Sequence, residues 1–431
     1  MKINLNKKLS AKNSFVFTAY AVIAAFGTYS CMIGFRRPFT VGLFEGLSVF
    51  GIDYKIALVI SHLLGYILVK FLGIKFISEM PRSKRAFMLI LMILIAEISL
   101  VIFAYTPIPY NLIFMFTNGM PLGMIWGLVF SYLEGRRFTE VLGAGLSAAF
   151  IITSGFAKTL GKIVMLDWGF SEFSMPFVTG VLFILPYIFF VWMLNRIPDP
   201  NKEDESLRTK RIQMFAKDRV AFFRKFAFGL IVLTLIYMMF NAYKDFRDNF
   251  AADIWKELGY GNQSGMFTST EAYVTIGVLG SLSLIMLIKN NFKALLVNHL
   301  AVLAGVLIIG LSTFLFEGKI ISPYFWILLT GFGAFLGYVP FNAILFDRLI
   351  ATFKYESNSG FLIYFADSFA YLTSIGVMLF KNFGVPKQSS MSYFINAGYV
   401  IMFTGIVLIS ISIFYYYNKY KKLNITENEH Q

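Results

Sequence analysis

The chain has 431 residues, 57% of them hydrophobic and only 14% charged, with 38 Lys and Arg against 24 Asp and Glu for a formal net charge of +14. That much apolar material exceeds what a soluble core can bury, which excludes disordered, collagen-like and ordinary soluble enzyme classes. One cysteine, Cys31, excludes a disulfide framework or a thiolate cluster, and three histidines, His62, His299 and His430, leave little for a zinc or haem site, so no metal or cofactor is expected. In a soluble protein the surplus positive charge would suggest nucleic acid. Here it sits in short segments between apolar runs, so the positive-inside rule accounts for it and no nucleic-acid partner is expected.

A membrane helix needs about 20 apolar residues, and the apolar runs predict twelve. The first six lie near 14–38, 54–74, 86–105, 110–133, 140–165 and 176–195, and the second six near 222–247, 268–288, 294–315, 322–346, 358–380 and 391–417. The expected organisation is a bundle over 1–197, a charged cytoplasmic linker over 198–221, a second bundle over 222–418 and a tail over 419–431. The fold class is thus an all-α polytopic membrane protein in contact with the lipid bilayer. Placing the N-terminus inside gathers most basic residues on one side. They include Lys2 to Lys12, Lys75 to Arg85, Arg136 and Arg137, the run from Arg196 to Lys225, Arg348 and Lys354, and the tail lysines Lys419, Lys421 and Lys422. Both termini are therefore predicted to be cytoplasmic, in a plasma membrane of bacterial inner-membrane type. The tetrad Thr28-Tyr29-Ser30-Cys31 imitates a lipoprotein cleavage site, but the bulky tyrosine and the long apolar run argue against cleavage.

The two halves share short patterns at corresponding spans. Phe35-Arg36-Arg37-Pro38-Phe39 ends the first span and Phe246-Arg247-Asp248-Asn249-Phe250 ends the seventh. Leu122-Gly123 answers Leu336-Gly337, and Phe156-Ala157-Lys158 answers Phe365-Ala366-Asp367. Falling in order, these matches predict a duplicated six-helix unit. Two six-span repeats, a charged central linker and the basic loop Ser78-Glu79-Met80-Pro81-Arg82-Ser83-Lys84-Arg85 resemble the major facilitator superfamily. The resemblance implies alternating access, with spans one, two, four, five, seven, eight, ten and eleven around a central cavity.

Ionisable residues within spans are functional candidates because each is costly in hydrocarbon. Those here are Arg36, Arg37, His62, Lys70, Glu97, Lys158, Lys162, Arg247, Glu271 and Asp367. Glu97 reads as a structural partner buried against a neighbouring helix. Helical spacing puts Tyr29 on the face of Arg36, Tyr66 on that of Lys70, Tyr243 on that of Arg247, and Tyr364 and Tyr371 beside Asp367. Cations beside phenols suit an anion with several oxygens; interfacial belt tyrosines are the equal alternative. Arg36 and Arg247, at related positions, would clamp one anion from both halves, against the plainer reading that both snorkel to the interface.

Arg36-Arg37-Pro38-Phe39, the run Tyr66-Ile67-Leu68-Val69-Lys70-Phe71-Leu72-Gly73, and Arg247 with Trp255 downstream are similar to the organophosphate:phosphate antiporter family. That resemblance implies Arg36 and Arg247 on phosphate with Lys70 neutralising it. The chain places Lys158 in the fifth span where that family has a histidine. Glu271 and Asp367 are expected either to carry protons or to pair with Arg247 and Lys158. Glu134, Arg136, Arg137 and Glu140, answered by Asp347, Arg348 and Lys354, read as cytoplasmic gate charges.

The expected function is secondary active transport of a small organic or phosphorylated anion, of phosphate or carboxylate type, by a monomer, as symporter or antiporter. The alternative is a non-transporting sensor or assembly partner of the same fold. No long loop or His/Asp cluster supports a membrane transferase, and no phosphate-binding glycine loop supports ATP-driven transport, so no enzyme activity is expected.

Overall fold

The computed structural model describes residues 14–133, 139–198, 216–355 and 359–429. They form α1 (Ser14–Ile33), α2 (Tyr54–Glu79), α3 (Arg82–Tyr105), α4 (Leu112–Leu133), α5 (Thr139–Leu166), α6 (Met175–Asn195), α7 (Ala216–Asn249), α8 (Ala251–Glu257), α9 (Met266–Met286), α10 (Asn291–Glu317), α11 (Pro323–Ala343), α12 (Leu345–Thr352), α13 (Ser359–Phe383) and α14 (Ser390–Glu429). Among the described residues, eight helices are long and apolar enough to cross a membrane: α3, α4, α6, α7, α9, α10, α11 and α14. Shorter apolar segments lie in α1 (Ala19–Ile33) and α2 (Tyr54–Val69). Large apolar side chains such as Leu185, Phe189, Phe403 and Phe414 are exposed, as a lipid-facing surface requires.

Helix boundaries differ from the sequence expectation at several spans: the helix over the seventh begins at Ala216, and the one over the twelfth runs on to Glu429. The first span was expected to run to residue 38, yet α1 stops at Ile33. The chain then turns tightly, the amides of Arg36 and Arg37 both donating to the Ile33 carbonyl at 3.0 Å, before the 3₁₀ turn Pro38–Val41. Gly34 leaves room for the Phe183 ring beside this turn, and Pro38, which has no amide to donate, opens the 3₁₀ turn. The all-α reading also missed a small antiparallel hairpin, β1 (Ser48–Val49) with β2 (Ile52–Asp53). Its two turn residues, Phe50 and Gly51, take φ of 52° and 76°, the positive angles that a two-residue hairpin demands. The tenth span was expected to reach 346, but the helix breaks at Ile344, placing Asp347 and Arg348 on the separate helix α12.

The chain falls into two compact units. The first draws on Met1–Arg208, Asn249–Glu271 and Met378–Pro386; the second on Thr209–Asp248, Ala272–Val377 and Lys387–Gln431. In the first, α2 and α4 approach so closely that a Cβ on Gly65 would sit 2.0 Å from the Phe116 carbonyl oxygen and one on Gly119 2.1 Å from that of His62. In the second, α10 and α11 meet through Gly305 and Gly333, where a Cβ on either would lie 2.6 Å from the other's carbonyl oxygen. Packing of small residues lets backbones touch where lipid supplies no hydrophobic drive between helices. Aromatic and polar pairs fill the rest. The Phe316 and Trp326 rings stack at 4.1 Å, and His299 joins Ser412 of α14 at 2.9 Å.

Gly119→Leu is expected to abolish the monodisperse peak in size-exclusion chromatography, because its Cβ has backbone on one side and no side chain to displace. Gly280→Ala, which meets nothing within 4 Å, serves as the tolerated control in the same measurement.

Candidate functional site

In the first unit, buried cations cluster where α1 gives way to the 3₁₀ turn and at the start of α2. Because α1 ends at Ile33, the seven-residue register from Tyr29 to Arg36 does not hold. Arg36 instead lays its guanidinium carbon 4.2 Å from the centroid of the Tyr66 ring on α2, a cation–π arrangement that partly replaces water. Tyr29 is buried on α1, one residue before Ser30, whose Oγ accepts from Thr153 of α5 at 2.9 Å. Arg37 donates from Nη1 to Asn249 Oδ1 at 3.0 Å. His62, one turn before Tyr66, is buried against Phe39 with a ring separation of 5.6 Å, and Asn118 and the two arginines are its polar surroundings.

Lys55, at the head of α2, is 1% exposed and donates to Asp253 Oδ2 of α8 at 2.5 Å. Its ammonium also lies 5.7 Å from the Phe250 ring, which Lys381 approaches at 5.9 Å. Lys162 shares this charged neighbourhood with Glu172, Lys55, Lys256 and Asp253. The Glu172 carboxylate accepts the Leu43 and Phe44 amides at 2.7 and 3.0 Å, which holds the loop that carries Phe44 at a φ of 52°. Outside the spans, Lys256 pairs with Glu45, and that hydrogen bond raises its amine above the ordinary lysine value.

Lys158 is buried on α5, one residue before Thr159, which donates to the Ser264 carbonyl at 2.8 Å and accepts from Thr268 at 2.7 Å. Glu271 packs against α5 at Gly155, where a Cβ would be 2.8 Å from the Glu271 Cγ. Glu97 of α3 fills the notch that Gly180 leaves in α6, and among the described residues neither of its carboxylate oxygens has a hydrogen-bond partner. The first unit therefore buries Arg36, Arg37, Lys55, Lys158 and Lys162 together with Glu97 and Glu271, and half-buried Asp253 and Glu172 lie beside Lys55 and Lys162.

The second unit is arranged differently. Arg247, in the last turn of α7, donates from Nη2 to the Ile327 carbonyl of α11 at 3.3 Å, in room left by Gly331. Tyr243 turns to α14 and stacks on Phe394 at 4.5 Å. Lys244 is buried. It donates to Asp245 Oδ1 at 2.9 Å and lies 4.4 Å from the Tyr338 ring. Asp245 Oδ2 accepts from Asn241 at 3.2 Å and from Ser374 at 2.8 Å, and Asn241 also donates to Ser374 at 2.9 Å. Four residues along, Tyr237 stacks on Tyr338 at 5.1 Å and donates to Asp367 Oδ1 at 2.5 Å, while Asn342 Nδ2 donates to the Tyr237 oxygen at 3.2 Å. Asp367 is thus joined to α7.

Arg348 donates to Asn291 at 2.8 Å. Its expected gate counterparts Glu134, Arg136 and Arg137 lie outside the described residues, as do the side chains of Lys70 and Glu140. Helical spacing would have exposed the α7 network, since Tyr237, Asn241, Lys244 and Asp248 recur at four, three and four residues. Its partners on α11 and α13 carry no such signal.

A family model described as a family of unknown function (DUF5690) matches residues 38–419. The chain belongs to that family. No curated protein matches it in sequence. Among solved structures it is similar to a D-xylose-proton symporter, at TM-score 0.60 and 16% identity over 91% of this chain and 97% of that one. It is also similar to the human organic anion transporter MFSD10 (TETRAN), at TM-score 0.57 and 13% identity over 91% and 99%. The fold is therefore major-facilitator-like, and the chain is a multi-pass membrane protein.

Breaking the buried Lys55–Asp253 pair leaves one charge unanswered, which costs about 3 kcal/mol. Lys55→Met is expected to lower the apparent Tm of the purified protein, and adding Asp253→Asn to recover part of the loss in a double-mutant cycle.

Proposed function

We propose that the chain is a secondary active transporter of a small organic or phosphorylated anion, working by alternating access in the plasma membrane with both termini cytoplasmic. The observation that carries this reading is the set of cations buried in the first unit, with the Arg36 guanidinium held on the Tyr66 ring beside His62. Cationic donors kept inside a membrane-spanning unit suit an anionic solute. Arg36 and Arg247 are the proposed anion ligands, since guanidinium offers a planar set of donors and stays charged when buried. Lys70 and Lys158 would neutralise the bound anion, and Tyr29, Tyr66 and Tyr243 would line its route. Glu271 and Asp367 are the proposed coupling or ion-pair acids. Glu134, Arg136 and Arg137 with Asp347 and Arg348 are the proposed cytoplasmic gate. The major-facilitator-like fold, which the two similar transporters share, supports the transport mechanism.

The test is thermal unfolding of the purified protein against phosphate, sugar phosphates, carboxylates, neutral sugars and amino acids. A ligand that binds only the folded state raises the apparent Tm by mass action. One anion class is expected to stabilise the wild type. Arg36→Ala and Arg247→Ala should each weaken that binding by about tenfold or more, with little change in the Tm of the free protein. Stabilisation by neutral or cationic compounds alone would defeat the anion reading.

A further inference from the structure

Among the described residues of the second unit, Lys244 and Arg247 are buried with Asp245 and Asp248, and Asp367 is half-buried. The unit presents a dense set of hydroxyl, amide and carboxylate groups from three helices: Tyr237 and Asn241 of α7, Tyr338 and Asn342 of α11, and Asp367 and Ser374 of α13.

We propose that this network recognises hydroxyl groups, and that the transported solute is a hydroxylated organic anion of the sugar-acid type. The proposal rests on the anion-transport reading and names its substrate class. Tyr237 has one proton, and the short 2.5 Å approach commits it to Asp367, so the 3.2 Å contact makes Asn342 the donor to the phenol oxygen. Asp367 and Asn342 are both half-buried, at the edge of the network, whereas Tyr237, Asn241 and Ser374 behind them are each 1% exposed. A carboxylate beside an amide offers an acceptor next to a donor, the complement of two adjacent hydroxyls, each of which both donates and accepts. The stacked Tyr237 and Tyr338 rings hold these groups in register. Lys244, over the Tyr338 ring and answered by Asp245, keeps the interior neutral without presenting an unanswered cation.

The experiment is isothermal titration of the purified full chain with D-gluconate, with hexanoate, which has the same carbon count and carboxylate but no hydroxyls, and with sorbitol, which has hydroxyls but no charge. Gluconate is expected to bind at least about tenfold tighter than hexanoate, because a site built to pair hydroxyls rejects the analogue that lacks them, and sorbitol more weakly than gluconate. Tyr237→Phe and Asn342→Leu should each bring gluconate down to the affinity of hexanoate while leaving hexanoate unchanged, a split that a misfolded variant cannot give. Equal binding of gluconate and hexanoate by the wild type, with both lost in Arg36→Ala, would overturn the hydroxyl assignment and leave anion transport standing. Full gluconate preference in both network variants would overturn the role of the network. Absence of binding by either anion would overturn both readings, and sorbitol binding as tightly as gluconate would overturn the anion class.

Discussion

A charge surrounded by hydrocarbon has to be answered by a counter-charge, a dipole or an aromatic face, and this requirement organises the helix ends of both units. Five of the buried cations show the range of answers. Arg36 uses the Tyr66 ring, Arg37 the Asn249 amide oxygen, Lys55 the Asp253 carboxylate, Lys244 the neighbouring Asp245, and Arg247 the Ile327 carbonyl. Most of these answers come from another helix. Charge satisfaction and helix packing are consequently linked in this chain.

Glycine makes these arrangements possible by leaving space, not by bending the backbone. Gly331 gives the Arg247 guanidinium room on α11, and Gly180 does the same for the Glu97 carboxylate on α6. Gly65 and Gly119 bring α2 against α4 closely enough that Tyr66 is presented to Arg36 from a rigid pair. The adjacent Lys244 and Asp245 illustrate the complementary device. Neighbours on a helix point about 100° apart, so Asp245 is held toward Lys244 by the two donors on its other oxygen, Asn241 and Ser374.

Much of the fold was legible because length and apolar content specify membrane helices with little help from tertiary structure. Most predicted spans coincide with helices to within a few residues, and the departures are local. The hairpin at Ser48–Asp53, α8 and α12 are too short to carry a periodic signal and depend on their surroundings. The candidate site was less legible. Spacing along one helix joined Arg36 to Tyr29 and Tyr66 to Lys70, whereas the fold joins Arg36 to Tyr66 across helices. Lys244-Asp245 looks in sequence like a solvated span end, since opposite charges side by side are common at interfaces. Its burial follows only from Tyr338 and Ser374, about 95 and 130 residues away, which no local pattern relates to it.

The repeated Phe-Arg-x-x-Phe pattern shows why likeness of sequence between halves need not give likeness of role. In the first copy Gly34 and Pro38 bracket the motif, the helix stops at Ile33 and Arg36 projects from a turn onto the Tyr66 ring. The second copy has Asp248 and Asn249 in place of Arg37 and Pro38, α7 continues to Asn249, and Arg247 stays in helical register, pressed into the space at Gly331. The second charge differs as well, Arg37 in one copy and Asp248 in the other. The two copies of the pattern thus place their arginines differently, one beyond its helix and one within it.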